Sequence, residues 1–288
     1  MIPFADDIMI RASSDLSHPS VILLAKALSS LISKPVLFLI ALMLYWGFNS
    51  KKTFSYCISM ISLVLLSVIL KDLFQENRPL VAHFENATGF SFPSTHALTA
   101  TLVAGFLSKS FNTRFLTKIL YTLAIGICLS RVILGVHYVH DVLISALAGI
   151  IFLYFFYKNE ASVAGFMLSG HHVIKVLVIA AMLLYSWFFG SPVEIKLSAA
   201  MTGFWLGHSF RKDHKPVVML STIGAFRFIT GILGILGINI GMKALASGLL
   251  ISEKIDWIAR YGLIFVWISL LFPALMQVKF FGKTQTEA

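Results

Sequence analysis

Charge is what this 288-residue chain has least of. Only 12% of its residues are Asp, Glu, Lys or Arg, against about 25% in a soluble domain, and 58% are hydrophobic. That scarcity excludes an ordinary soluble globule. Cysteine is nearly absent as well. Cys57 and Cys128 sit inside apolar segments with no Cys-x-x-Cys pair, so neither a disulfide framework nor a cysteine zinc site can be read. Both are expected to be small buried hydrophobes. The first twenty residues carry Asp6, Asp7, Arg11 and Asp15 and lack a basic stretch leading into an apolar run. A cleaved signal peptide is therefore not expected. Repeats, low-complexity tracts and long linkers are missing too.

Apolar runs are what the chain has in quantity. Nine lie near the roughly 20 residues needed to cross a bilayer: about 35–49, 54–72, 96–110, 115–134, 141–157, 172–190, 196–209, 217–238 and 257–278. Residues 20–33 are apolar on one face, short, and interrupted by Lys26. They read as an interfacial helix lying along the membrane, the alternative being a short first span ending at Lys34-Pro35. The expected fold is all-α: a polytopic helical bundle of about nine transmembrane helices plus that N-terminal interfacial helix. The sharpest internal boundary falls near 158–171. It divides a unit of residues 1–160 from an extension of about four spans, 161–288.

Positive residues outnumber acidic ones, 23 to 13. Excess positive charge can signal nucleic acid, but here it sits in short loops between apolar runs, so no nucleic-acid partner is expected. Lys51 and Lys52, then Lys109, Arg114 and Lys118, then Lys158 and Lys175, then Arg211, Lys212 and Lys215, and finally Lys279 and Lys283 occupy alternate loops. The intervening loops are nearly balanced. By the positive-inside bias the first set faces the cytoplasm.

Three short blocks stand apart from this background, and all fall on the opposite face. They are Lys71-Asp72-Leu73-Phe74-Gln75-Glu76-Asn77-Arg78-Pro79, Pro93-Ser94-Thr95-His96, and Ser130-Arg131 followed by His137 and Asp141. The cations Lys71, Arg78 and Arg131, the histidines His96 and His137 and the Asp141 carboxylate suit the holding of a phosphate, whose transfer depends chiefly on positioning and charge stabilisation. Lys71 and Arg78 taken alone would be edge residues snorkelling to the interface. Ser94 and Thr95 can cap a helix whose free N–H groups make an anion site. His96 lies in its first turn, placed to protonate a leaving oxygen. His137 and Asp141 are four apart, on one helical face, where a carboxylate can fix the imidazole tautomer and stabilise the imidazolium.

In order and spacing the blocks resemble the type 2 phosphatidic acid phosphatase (PAP2) superfamily, in its membrane lipid-phosphatase branch: K-x6-R-P, P-S-x-H and S-R-x5-H-x3-D. The resemblance covers residues 20–160. The family usually has glycine where Thr95 stands. Threonine there is similar to the sphingosine-phosphate phosphatases, and the nine-span layout also resembles glucose-6-phosphatase. The resemblance implies an α-helical bundle with catalytic loops at one surface. It further implies that His137 is a nucleophile forming a phosphohistidine, Asp141 its orienting partner and His96 the acid and then base. Lys71, Arg78, Arg131, Ser94 and the Thr95 and His96 amides would cradle the phosphoryl oxygens. No cofactor and no metal are implied, and no carboxylate cluster to hold a metal is visible.

The substrate implied is a lipid phosphate or pyrophosphate reached from the non-cytoplasmic face. The membrane would be the bacterial inner membrane or, alternatively, the endoplasmic reticulum with a lumenal site. A phosphotransferase with the same chemistry, or a lipid transporter on this scaffold, are the competing readings. A transporter would tend to place its polar residues at the midplane; here they gather at one face. Among the other histidines, His83 lies in the motif loop, and His140 is expected to face away from Asp141. His171, His172, His208 and His214 belong to the cytoplasmic side. Arg227 stands mid-span, where an isolated charge is costly and usually functional; a structural role, hydrogen-bonding backbone or hydroxyls, is slightly favoured over an active one.

Overall fold

The computed structural model describes residues 18–48, 50–79, 89–160, 162–163, 165, 172–211 and 222–277. Among them there is no strand. The helices are α1 (Pro19–Ser30), α2 (Lys34–Gly47), α3 (Ser50–Phe74), α4 (Thr95–Phe111), α5 (Arg114–Ile133), α6 (Val139–Lys158), α7 (His172–Phe188), α8 (Pro192–Phe210), α9 (Thr222–Gly248), α10 (Glu253–Val266) and α11 (Phe272–Gln277). A π-helical turn, Trp267–Leu271, joins the last two. Each of the nine predicted runs falls on a helix. Helices are the expected answer, because within hydrocarbon only intrasegment hydrogen bonds satisfy the backbone.

Among the described residues, five segments are long and apolar enough to cross a membrane: Lys51–Phe74, Arg114–Ile133, Val139–Lys158, Ile223–Gly248 and Glu253–Met276. A sixth is possible if α1 and α2, bent by 40° at their junction, count as one broken span. This is an integral membrane protein. His83, His171 and His214, and the start of the predicted run 217–238, lie outside the described residues.

The chain forms two compact units. The first comprises residues 1–39 and 63–160, and the second residues 40–62 and 161–288. In the first, α4 packs against both α5 and α6, while α1 lies on α5. Small side chains set these crossings. Ala100 and Ala104 of α4 meet Ala124 and Ile127 of α5, with Ile32 beside them. On the other flank, Gly105 sits under Leu153, and Gly149 lies against Thr101. Residues without bulk let backbones approach closely, the usual device where lipid removes any hydrophobic drive between helices. The consequence is positional: the N-terminus of α4 lies beside the start of α6.

In the second unit α8 packs against α7 and α10. A Cβ on Gly203 would strike the backbone of Gly262, so the α8–α10 crossing needs glycine. His208 belongs to this core. Tyr45 Oη lies 2.8 Å from its Nδ1, and Phe54 stacks on its ring with centroids 3.8 Å apart. Arg227, half-buried in α9, is not without a partner.

Candidate active site

The turns that bound the helices of the first unit also deliver its polar side chains. α3 ends at Gln75, whose left-handed backbone (φ 48°) donates its N–H to Lys71 O at 2.9 Å. That stop leaves Lys71 in the last turn and frees the chain to carry Arg78 away from the helix. α5 ends in a Schellman motif. Gly135 takes φ 64°, its N–H reaches Val132 O at 2.9 Å, and Val136 N–H reaches Arg131 O at 3.2 Å. Glycine is needed because an L side chain there meets the following carbonyl. α6 then starts at Val139, with the Asp141 carboxylate accepting the Tyr138 N–H at 2.9 Å. Asp141 is thus also the cap of its own helix.

These ends converge. Lys71 Nζ donates to Phe90 O at 2.9 Å and Ser91 O at 2.8 Å, tying α3 to the loop before α4. Arg78 Nε donates to Gly89 O at 2.9 Å, and its Nη1 to Val136 O at 2.6 Å. One guanidinium therefore pins the second block against the third. Arg131, 4% exposed, donates through Nη1 to Ser29 of α1. His137 is buried at 2% exposure and Asp141 at 0%. The cations Lys71, Arg78 and Arg131 lie within electrostatic reach of His96 and His137. All eight residues singled out in the sequence belong to this one unit.

His137 Nδ1 is 3.4 Å from Asp141 Oδ2. That is longer than the 2.7–2.9 Å usual for a charge-assisted bond, and the Ser91 hydroxyl accounts for it. Ser91 Oγ donates to the same Asp141 oxygen and lies 3.4 Å from His137 Nδ1. Ser91 is fully buried, its N–H is held by Glu76 O at 2.7 Å, and its carbonyl takes Lys71. Sequence reasoning missed it. The only available signal was its place two residues before Pro93.

Burial lowers the His137 pKa to about 4; the Asp141 hydrogen bond opposes this, and Lys71, Arg78 and Arg131 reinforce it. The ring is neutral at pH 7. A carboxylate at Nδ1 favours the tautomer protonated there, which leaves the lone pair on Nε2. Burial likewise lowers the Arg78 pKa, with Asp141 pulling the other way.

Ser94 occupies the N-cap position of α4 but makes no side-chain capping bond, contrary to the expected hydroxyl cap. Its N–H goes instead to Ser145 Oγ at 2.8 Å, and that hydroxyl donates to Asp141 O at 2.6 Å. Ser94 Oγ is left buried with no hydrogen-bond partner among the described residues, as is Arg131 Nε. Thr95, in the position usually held by glycine, places Oγ1 3.0 Å from Ser67 Oγ of α3. The threonine side chain is accommodated by a neighbouring helix, away from the backbone amide. His140 departs from expectation: its Nε2 is 3.1 Å from Asp141 Oδ1 and 2.9 Å from Glu76 Oε1. The ring leans back across the helix end towards both carboxylates.

A family profile described as "PAP2 superfamily" matches residues 52–164, and a second, "PAP2 superfamily phosphatase, transmembrane extension", matches residues 195–282. The chain belongs to the PAP2 superfamily. Two curated members resemble this one in part. Phosphatidylglycerophosphatase B of Haemophilus influenzae is 40% identical over 79 residues, 24% of this chain and 32% of its own length. Phosphatidylglycerophosphatase B of Bacillus subtilis is 38% identical over 90 residues, 27% of this chain and 43% of its own. The chain thus spans under half the length of either relative. The crystal structure of Aquifex aeolicus LpxE aligns with 53% of this chain and 93% of its own, at 27% identity and a TM-score of 0.44.

Proposed function

We propose that this PAP2 protein is an integral-membrane phosphatase that hydrolyses a lipid phosphate or pyrophosphate through a phosphohistidine. The observation that carries the reading is the charge arrangement around His137. Lys71, Arg78 and Arg131 surround a neutral imidazole that is backed by a single carboxylate. Three cations gathered at one imidazole suit a phosphate monoester with close to two negative charges. Two buried donors, Ser94 Oγ and Arg131 Nε, await acceptors, and a bound oxyanion would supply them. The free amides at the start of α4 add a helix-terminal anion site.

In this mechanism His137 Nε2 attacks phosphorus, so a P–N bond forms as the P–O bond to the lipid breaks. The leaving oxygen takes a proton from His96, whose imidazolium form the bound anion favours. Water then attacks the phosphohistidine while His96 accepts its proton, releasing inorganic phosphate and restoring the imidazole. Asp141 holds the His137 ring and its developing charge throughout. In this reading residues 1–160 are the catalytic core and 161–288 the extension, with residues 40–62 grouped with the second compact unit.

Both curated relatives are named for phosphatidylglycerophosphate, which therefore heads the substrates to test. Purified protein should release free phosphate from at least one member of a panel. The panel is phosphatidylglycerophosphate, phosphatidate, lysophosphatidate, undecaprenyl pyrophosphate and a sphingoid-base phosphate. Excess chelator should leave the rate unchanged. Activity lost to chelator and restored by magnesium would overturn the histidine mechanism. Phosphate appearing only on an acceptor lipid would make the protein a transferase.

The same reading sets nine spans with α1 along the interface. The N-terminus lies outside, the C-terminus inside, and the site faces the exterior of a bacterial cytoplasmic membrane. Cysteines placed singly at Glu85 and Lys212, in a background lacking Cys57 and Cys128, are expected to label from opposite faces with an impermeant thiol reagent. Labelling from one face would mean a miscounted span. Labelling of position 85 from the cytoplasm alone would remove externally exposed lipids as substrates.

A further inference from the structure

Beside the phosphate site lies a cluster of metal-ligating groups that shares Asp141 with it and adds Glu76 and His140, which the proposed reaction does not use. Glu76, in the loop after α3, and His140 and Asp141, in the first turn of α6, bring one imidazole nitrogen and two carboxylate oxygens within 4.8 Å of one another. His140 Nε2 stands 2.9 Å from Glu76 Oε1 and 3.1 Å from Asp141 Oδ1. A single N–H can satisfy only one of these oxygens. Glu76 has the hydrogen bond, and Asp141 Oδ1 is left buried without one. Two anionic oxygens converging on one nitrogen, with the inner oxygen desolvated and unsatisfied, call for a cation between them. The other two side chains are 35% and 45% exposed, so an ion can enter from solvent.

We propose that Glu76, His140 and Asp141 form an inhibitory site for a divalent transition ion of the zinc class. One nitrogen and two oxygens suit zinc or cobalt, whereas magnesium prefers an all-oxygen octahedron. Ligand atoms around a tetrahedral zinc stand about 3.4 Å apart. The two observed separations need to open by a few tenths of an ångström, and solvent would complete the shell. The effect follows from Asp141. Its Oδ2 faces His137 while its Oδ1 would bind the ion, so the metal draws charge from the carboxylate that supports the developing imidazolium. The inhibition rests on the phosphatase reading; the binding does not.

The test uses the purified full chain with Co²⁺ as a spectroscopic probe and Zn²⁺ as an inhibitor. Wild type should give a visible Co²⁺ ligand-field band and lose activity in Zn²⁺, while Mg²⁺ does neither. Glu76→Gln and His140→Gln should each remove the band and raise the half-inhibitory Zn²⁺ concentration at least tenfold, with hydrolysis in the absence of zinc within about threefold of wild type. Their thermal melts check that each variant is folded. A Co²⁺ band that survives in the double variant would assign binding to other histidines and overturn the site. So would zinc inhibition that is equal in all variants, or a wild type that neither binds Co²⁺ nor responds to Zn²⁺. Band loss in the variants of a protein that hydrolyses nothing would uphold the site and defeat the phosphatase reading instead.

Discussion

Replacing His137 with alanine is expected to abolish turnover while leaving the bundle folded. The imidazole is the proposed group that forms a bond to phosphorus. Loss of a covalent nucleophile typically removes about 10⁴-fold or more of the rate, the remainder reflecting binding and charge stabilisation. Substrate binding should survive, because Lys71, Arg78 and Arg131 are untouched. The decisive measurement is phosphoprotein analysis after an alkaline quench. Wild type should carry an acid-labile, alkali-stable phosphate that His137→Ala lacks. His96→Ala, given a substrate with a good leaving group, should still form that species and hydrolyse it slowly. Near-normal hydrolysis by His137→Ala would show that the nucleophile lies elsewhere.

Asp141→Asn is expected to lower kcat/KM by about 10³- to 10⁴-fold, the scale seen when a histidine loses its orienting carboxylate. The structure gives the reason at the atomic level. Asp141 Oδ2 accepts from Tyr138 N–H and Ser91 Oγ and faces His137 Nδ1. An asparagine whose oxygen keeps the Tyr138 bond preserves the cap of α6. It cannot carry the negative charge that stabilises the imidazolium. The stability penalty should be small, since a carboxylate at a helix N-terminus contributes about 0.3–1 kcal/mol. A melt within a few degrees of wild type, paired with the large rate loss, separates the chemical role from the structural one. A kcat/KM within tenfold of wild type would mean that capping is the whole task of Asp141.

Much of this was legible in the residues because it depends on local rules. The spans follow from hydropathy: nine apolar runs fall on helices, most with ends shifted by a few residues and the eighth extended by ten, to Gly248. The pairing of His137 with Asp141 follows from helical spacing, and the stop at Gly135 from the one residue type that accepts that backbone. Crossing the membrane is a different matter. Among the described residues only five helices, or six counting the bent pair, are long and apolar enough to do so unaided, because local hydropathy fixes where a helix forms and not whether its neighbours let a short one span.

Sequence order alone could bring three blocks to one face of a membrane, since loop charges and span parity depend on nothing distant. It could not say which atoms meet there. Ser91 enters the site because Lys71 and Glu76 hold its backbone from another helix end, and a lone serine in a polar loop carries no periodic or charge signal. The unused hydroxyl of Ser94 depends on Ser145, fifty-one residues away, taking the Ser94 amide. His140 was expected to face away from Asp141, as neighbours on a helix do. At the first turn the backbone is only beginning to wind, and Glu76 draws the ring back towards the carboxylate. Hydropathy, charge and spacing act within a dozen residues and determined the helices, the membrane setting and the residue types of the site. The tertiary structure decided hydrogen-bond competition among buried groups, because a donor goes to whichever acceptor packing brings closest.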